Sequence, residues 1–189
     1  MWKEPPCESP VRNPTFLWAS GPGLWKPGSM LRPTAFAKTL CDVSIEDLVA
    51  GGVRGVMLDL DNTLLAFDQA QPHPDYVAWI HGAQAAGLRV VLVSNNFGPR
   101  ARGIAGLVGV ECVANALKPL PSAFGKALGL LGTPKAQTIV IGDQLFTDVL
   151  GAKLFGLRSV LTEPLGSRDF LTTRILRFFE RLVLPGVRR

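Results

Sequence analysis

From residue 40 onward the chain alternates short apolar segments with longer ones that have helical spacing. Short apolar runs rich in β-branched residues predict buried strands, and segments opened by proline or closed by glycine predict helices. The predicted strands are 55–60, 89–94, 110–113, 138–142 and 158–161, and the predicted helices are 74–86, 99–107, 121–131 and 146–155. Strands separated by helices join as parallel neighbours through right-handed crossovers. The pattern therefore predicts an α/β fold, a Rossmann-like parallel sheet with helices on both faces.

The two ends of the chain differ from this middle part. Seven of the fifteen prolines fall within residues 1–33. Proline fixes φ and removes a backbone donor, so such a stretch cannot sustain a helix or a central strand. We therefore predict a poorly ordered proline-rich tail at 1–29, the α/β domain at 30–165 and a basic amphipathic helix at 166–189.

Length and composition exclude several classes of protein. A chain of 189 residues with 47% hydrophobic residues suits one globular domain with short appendages. No apolar run approaches the ~18–20 residues that span a bilayer, and the first ten residues lack the apolar region of a secretory signal. The three cysteines, Cys7, Cys41 and Cys112, are scattered and odd in number. They argue against a disulfide framework or a zinc site, and we expect a cytoplasmic protein.

Charge is distributed unevenly along the chain. Residues 40–152 carry seven basic and ten acidic side chains, whereas residues 153–189 carry eight basic and three acidic ones. In the predicted C-terminal helix, apolar residues share one face and three arginines lie beside it: Leu171, Ile175, Phe178, Phe179 and Leu182, with Arg174, Arg177 and Arg181. Either this helix contacts an anionic membrane from the inner face, or it packs its apolar side on the domain. Nucleic acid is the less favoured anionic partner.

Carboxylates follow two of the predicted strands. Asp59 and Asp61 end the first, and Asp143 ends the fourth, with Asp148 at the start of the next helix. Like charges at the end of buried strands repel each other and are costly to desolvate, and a divalent cation relieves that cost. Hard oxygen ligands with room for water and phosphate oxygens favour Mg²⁺.

Two further segments add groups that suit a phosphate. Ser94-Asn95-Asn96 follows the second predicted strand and offers a hydroxyl, amides and backbone N–H groups. Lys118 lies in the loop after the third strand and adds an ammonium group. Parallel strands bring their carboxyl ends to one edge of the sheet, where such folds bind ligands. The order of these four elements predicts a metal-assisted phosphate site.

These motifs resemble those of a known family. Asp59-Leu60-Asp61-Asn62-Thr63, Ser94, Lys118 and Gly142-Asp143 with Asp148 resemble the four motifs of the haloacid dehalogenase superfamily of phosphohydrolases. The resemblance covers about residues 53–162 and is greatest to subfamily IIIA, the YqeG-like branch. That branch is similar to the phosphatidylglycerophosphate phosphatases of organelles and cyanobacteria.

The resemblance implies a role for each motif residue. Asp59 is the implied nucleophile, and Asp61 the implied acid and base. Lys118 is implied to steady Asp59 and the transferring phosphoryl group, while Thr63, Ser94 and Asn95 are implied to bind phosphate. The implied Mg²⁺ ligands are Asp59, the backbone carbonyl of Asp61 and Asp143, with Asp148 supporting the ion directly or through water.

The motif spacing leaves no room for the cap domain that many members of this superfamily carry. Asp59 and Ser94 are 35 residues apart, Ser94 and Lys118 are 24 apart, and Lys118 and Asp143 are 25 apart. The expected enzyme is thus a capless phosphatase with an open site, suited to a large or membrane-borne phosphomonoester. The family resemblance implies phosphatidylglycerophosphate as the preferred substrate. The alternatives are a phosphatase of nucleic-acid ends or soluble phosphoesters, and an interaction protein that binds Mg²⁺ without turnover.

Overall fold

A computed structural model describes residues 31–66, 68–96 and 98–166 of this chain. The strands are β1 (Ala35–Ala37), β2 (Gly55–Leu58), β3 (Arg89–Val93), β4 (Glu111–Val113), β5 (Thr138–Gly142) and β6 (Arg158–Thr162). The α-helices are α1 (Ile45–Ala50), α2 (Pro74–Ala85), α3 (Gly98–Val108), α4 (Pro121–Leu131) and α5 (Leu150–Phe155). The predicted tail at 1–29 lies outside these residues, as does the predicted helix at 166–189 apart from Gly166.

The strands form one sheet in the order β1-β6-β5-β2-β3-β4, and every neighbouring pair is parallel. β2 lies at the centre, where Leu58 is in register with Leu92 of β3 and Ile141 of β5. The predicted α/β parallel sheet is confirmed. Among the described residues, no extra domain interrupts the segments between the motifs, in agreement with the predicted capless fold.

Both faces of the sheet are covered by helices, which explains why the central strands read as continuous apolar runs. Successive strand residues point to opposite faces. Val56 and Leu58 of β2 belong to the core that α1, α2 and α3 cover, whereas Met57 packs with α4 and α5. The sheet is thus fixed from both sides, and its carboxyl edge is left for the loops that carry polar residues.

Three local features differ from the sequence prediction. β1 and α1 were missed, because segments of three and six residues are too short to show a periodicity. The start of α1 has its own local signal, since Ser44 Oγ accepts a hydrogen bond from Asp47 N at 3.1 Å. The predicted helix 146–155 begins as a π-helical turn at Leu145–Val149 and continues as α5.

The two described cysteines differ in state. Cys41 is disulfide-bonded, whereas Cys112 is a free thiol. A single bonded cysteine is a feature that the sequence analysis did not predict, and it is not a disulfide framework. Within the described residues, no helix has the length and apolar character needed to cross a bilayer.

Candidate active site

The residues singled out in the sequence meet at the carboxyl edge of the sheet. Asp59 directly follows β2, Ser94 follows β3, and Asp143 follows β5. Lys118 lies in the loop between β4 and α4. Because all these strands are parallel, their carboxyl ends share one edge, and segments distant in sequence become neighbours.

Three buried carboxylates form the centre of the site. Each of Asp59, Asp143 and Asp148 has an oxygen within 4.8 Å of an oxygen of the other two, and all three side chains are buried. Asp148 lies on the π-helical turn and folds back over the end of β5, where a Cβ on Gly142 would collide with its carboxylate. The absence of a side chain at Gly142 therefore allows this close approach. Asp148 Oδ2 also accepts a hydrogen bond from Gln144 N at 3.2 Å.

Lys118 supplies positive charge within this cluster. Its Nζ atom donates to Asp59 Oδ1 at 2.5 Å and to Asp148 Oδ1 at 2.7 Å, and the lysine is only 6% exposed. With every group ionised, Lys118 and the three carboxylates carry a net charge of −2. The cluster is thus buried, closely packed and short of positive charge.

Burial and neighbouring charges together shift the pKa values of this cluster. Burial raises the pKa of Asp59 above its ordinary value and outweighs the opposing effect of Lys118. Burial likewise raises the pKa of Asp148 to about 6, against the effect of Lys118 and with the help of Asp59. Burial alone would favour a neutral amine, but the charges of Asp148 and Asp59 outweigh it and raise the pKa of Lys118. All three groups therefore bind their protons more tightly than they do in water.

The chemistry of this cluster fits a divalent cation. Asp59 Oδ2 is buried and has no hydrogen-bond partner among the described residues, although a buried carboxylate oxygen normally has one. Three carboxylates close together provide the hard oxygen ligands that Mg²⁺ takes in proteins. A divalent ion would also balance the net charge of −2.

Asp61 lies beside the buried cluster, at its more exposed side. The turn after Asp59 folds back on itself: Asn62 adopts a left-handed conformation with φ 63°, and its N–H donates to Leu65 O at 2.8 Å. Asparagine tolerates this conformation better than most residues. Asp61 is thereby held with its side chain 20% exposed, where Ser94 Oγ donates to its Oδ2 at 3.2 Å.

The residues expected to bind phosphate lie in two places, beside the buried carboxylates and against the loop that carries Lys118. Thr63 Oγ1 donates to Asp143 Oδ1 at 3.3 Å, and Thr63 and Ser94 are both buried beside the carboxylates. Asn95 is exposed and is held to the backbone of Lys118 by a reciprocal pair of bonds. Its Nδ2 donates to Lys118 O at 3.0 Å, and its Oδ1 accepts from Lys118 N at 2.7 Å. Asn95 therefore fixes the loop that carries Lys118, and its role in phosphate binding stays a prediction.

Two side chains at the site were not among the predicted site residues. Asn96 Nδ2 donates to Asp61 Oδ1 at 3.3 Å, and the guanidinium of Arg100, in the first turn of α3, lies 3.6 Å from the same oxygen. The amide of Asn96 was noted in the sequence together with Ser94. Arg100 had no comparable signal, because an arginine in a first helical turn usually faces solvent.

Comparison with known proteins shows the family to which this chain belongs. A family model described as a haloacid dehalogenase-like hydrolase matches residues 29–156, which is more than half of the chain. The chain therefore belongs to the haloacid dehalogenase-like hydrolases.

Individual relatives narrow the class to phosphatases. The chain is 34% identical to the probable phosphatase YqeG of Bacillus subtilis over 157 residues, covering 83% of this chain and 91% of that protein. It is 26% identical to phosphatidylglycerophosphate phosphatase 1 of Arabidopsis thaliana, covering 83% of this chain and 47% of that protein. The chain thus spans about half the length of the plant relative. It is a phosphatase of the YqeG-like branch, as the motifs predicted.

A solved structure supports the fold alone. An uncharacterized protein from Listeria monocytogenes serotype 4b superposes with a TM-score of 0.50 at 14% identity, covering 62% of this chain and 85% of that one.

Proposed function

We propose that this phosphatase hydrolyses phosphomonoesters with the help of Mg²⁺, through an aspartyl-phosphate formed on Asp59. The observation that carries the proposal is the buried cluster in which Lys118 holds Asp59 beside Asp143 and Asp148. A carboxylate fixed by an ammonium group is ready to attack an incoming phosphorus atom. Such a cluster is costly to maintain for stability alone, because burial of several carboxylates disfavours their charged forms.

The reaction takes two steps. In the first, a carboxylate oxygen of Asp59 forms a bond to phosphorus while the ester P–O bond breaks, and Asp61 gives its proton to the departing alkoxide. In the second, Asp61 takes a proton from water, whose oxygen attacks the same phosphorus and releases inorganic phosphate and free Asp59. The partly exposed position of Asp61 beside Ser94 suits a group that exchanges protons with both alcohol and water.

The neighbouring polar groups bind the phosphoryl oxygens. The hydroxyls of Thr63 and Ser94 and the ammonium of Lys118 donate to them, and these donors are already oriented by the carboxylates that they contact. Asn95 contributes by holding the Lys118 backbone in place.

We propose that the divalent ion is Mg²⁺. Asp59, Asp143 and Asp148 would hold it through side-chain oxygens, together with the backbone carbonyl of Asp61. When bound, Mg²⁺ would polarise the phosphoryl group and offset the charge that develops on its oxygens. The partnerless Oδ2 of Asp59 supports this assignment.

The substrate that we favour is phosphatidylglycerophosphate, hydrolysed to phosphatidylglycerol. The site lies at the open edge of a sheet without a cap among the described residues, so a large alcohol can reach it. The plant relative named above is a phosphatase of this lipid, which supports the same substrate here. A phosphatase of nucleic-acid ends or soluble phosphoesters is the second candidate, because the basic C-terminal segment suits either anion.

A substrate panel tests these proposals. Purified full-length protein is assayed for phosphate release from phosphatidylglycerophosphate, nucleotides, sugar phosphates and 3′-phosphorylated DNA, with Mg²⁺ and with EDTA. We expect the highest kcat/KM for the lipid and loss of turnover in EDTA. A higher kcat/KM for DNA ends or nucleotides would reject the lipid, and no turnover of any substrate would favour an interaction protein that binds Mg²⁺.

We further propose that segment 166–189 docks this phosphatase on the cytoplasmic side of an anionic membrane. The described chain ends beside the site, since Leu165 N donates to Asn62 O at 2.9 Å. Each arginine near an anionic surface is worth about 1 kcal/mol, so three are worth about a hundredfold in partitioning at low salt.

Combined Arg174→Gln, Arg177→Gln and Arg181→Gln changes should weaken sedimentation with phosphatidylglycerol-containing vesicles and spare p-nitrophenyl phosphate hydrolysis. Undiminished vesicle binding would show that the segment packs on the domain.

A further inference from the structure

We propose that Arg100 binds a second anionic group, carried by the alcohol half of the substrate, and so selects phosphomonoesters whose leaving alcohol is itself charged. This inference rests on the proposed function in one respect, the role of Asp61 as the acid that protonates the leaving group. It adds a specificity residue that the motifs do not contain.

The position of Arg100 relative to Asp61 is the first observation. Arg100 Nη2 lies 3.6 Å from Asp61 Oδ1 and 3.5 Å from the carbonyl oxygen of Ala66. The guanidinium therefore contacts both ends of the turn that follows Asp59. Asn96 Nδ2 reaches the same Asp61 oxygen from the neighbouring loop, at 3.3 Å.

This position indicates which part of the substrate Arg100 contacts. An acid that protonates a leaving oxygen has to lie within hydrogen-bond reach of it. A side chain within ion-pair distance of that acid consequently borders the leaving alcohol. Lys118, in contrast, donates to Asp59 and Asp148 and not to Asp61.

The side chains of Lys118 and Arg100 differ in how much of their surface is exposed. The side chain of Lys118 is 3% exposed, and it is enclosed by the carboxylates that it contacts. The side chain of Arg100 is 29% exposed, so an incoming molecule can reach it. One cation is thus buried with the reacting groups, and the other is accessible from solvent.

The chemistry of the guanidinium indicates the ligand. Arginine stays charged and presents five N–H donors in a planar fork that matches a carboxylate or a phosphate. Its hydrogen bonds to an anion are stronger than those between neutral groups. The shared chemistry is an oxyanion close to the phosphomonoester, such as the phosphodiester of phosphatidylglycerophosphate or the carboxylate of a soluble phosphorylated acid.

The test compares phosphomonoesters with and without this anion. Glycerol 3-phosphate has an uncharged leaving alcohol, 3-phosphoglycerate has a carboxylate in place of its hydroxymethyl group, and dihexanoyl phosphatidylglycerophosphate adds a phosphodiester together with two short acyl chains. All three have alkyl leaving groups, so a disturbance of Asp61 lowers their turnover alike. The ratio of kcat/KM for 3-phosphoglycerate to that for glycerol 3-phosphate isolates anion recognition, and the lipid extends the comparison to a phosphodiester.

Three variants are compared with the wild type. Arg100→Gln removes the charge, Arg100→Lys keeps the charge without the fork, and Arg102→Gln removes an exposed arginine from the same helix as a control. For Arg100→Gln we expect the ratio of charged to uncharged substrate to fall by about tenfold to hundredfold, mainly through KM. Arg100→Lys should recover part of that loss, and Arg102→Gln should keep the wild-type ratio.

The outcomes separate this inference from the proposed substrate. If Arg100→Gln lowers kcat/KM equally for all three substrates, or for none, Arg100 does not recognise an anion and the inference is overturned. If the wild type hydrolyses the lipid no faster than glycerol 3-phosphate, the lipid assignment fails. The pair of 3-phosphoglycerate and glycerol 3-phosphate then decides the role of Arg100 by itself, and an unchanged ratio in Arg100→Gln overturns it.

Discussion

Lys118 and Asp59 are 59 positions apart in the chain, yet Lys118 Nζ lies 2.5 Å from Asp59 Oδ1. The contact depends on the sheet: Asp59 is fixed by the end of β2 and Lys118 by the loop after β4, with β3 between those strands. Asn95, which follows β3, closes the intervening distance by pairing with the Lys118 backbone. Strand order, and not proximity in sequence, therefore creates the ion pair at the centre of the site.

Replacement of Asp59, the proposed nucleophile, should abolish turnover and leave the fold intact. Asp59→Asn is nearly isosteric and removes the charge that attacks phosphorus, while it reduces the repulsion among the three buried carboxylates. We expect kcat below about one per cent of the wild type, with an unfolding midpoint at least as high in metal-free buffer. Kinetics on p-nitrophenyl phosphate and thermal unfolding measure the two quantities. Activity near wild type would reject the covalent mechanism.

Replacement of Asp61, the proposed acid, should lower kcat by a factor that depends on the leaving group. Asp61→Asn keeps an acceptor for Ser94 but removes the proton donor. Alkyl phosphates should lose about 10²–10⁴-fold in kcat, whereas p-nitrophenyl phosphate should lose less because its phenolate leaves without a proton. A comparison of kcat for both substrates checks this. Equal losses would assign Asp61 a role other than proton transfer.

Most strands and helices could be predicted because the sequence patterns that indicate them are local. Each central strand is a short apolar run bounded by glycine or a polar residue, and each of α2 and α4 begins with a proline, Pro74 and Pro121. β1 escaped prediction because its three residues are ordered by pairing with β6, a contact about 125 positions away that no local pattern contains.

The site shows the same difference between residues with a local sequence signal and residues placed by long-range contacts. Asp59, Asp61, Ser94 and Asp143 could be placed at one edge because each comes at or near the end of a predicted strand. The position of Arg100 could not be predicted. Its proximity to Asp61 depends on the direction in which α3 follows β3 and on the turn in which Asp61 pairs with Leu65. The disulfide of Cys41 was likewise beyond a count of cysteines.

Ionisation of Tyr76 should lower the free energy of unfolding in alkaline solution. Burial raises the pKa of Tyr76 to about 12, reinforced by the charges of Asp42 and Asp75, against an ordinary value of 10.0. Since the folded state binds this proton more tightly, its contribution is complete below pH 10 and is lost as pH rises towards 12. The loss should reach about 2–3 kcal/mol.

Urea unfolding at several pH values between 9 and 12 measures this slope. Tyr76→Phe lacks the proton and should show a shallower decline than the wild type, which isolates Tyr76 from the lysines that titrate in the same range. Parallel curves for the two proteins would contradict the prediction.

Removal of the cation from the buried cluster should destabilise the protein, and Mg²⁺ should restore part of the loss. Lys118→Met leaves Asp59 and Asp148 buried without their ammonium partner, a change that costs about 3–5 kcal/mol in comparable sites. Urea unfolding in EDTA should show this loss, whereas Lys126→Met, an exposed lysine on α4, should change stability by less than about 0.5 kcal/mol. Because a ligand that binds only the folded state stabilises it, added Mg²⁺ should raise the stability of Lys118→Met. Equal stability of both variants in EDTA would show that the carboxylates are not held together by Lys118.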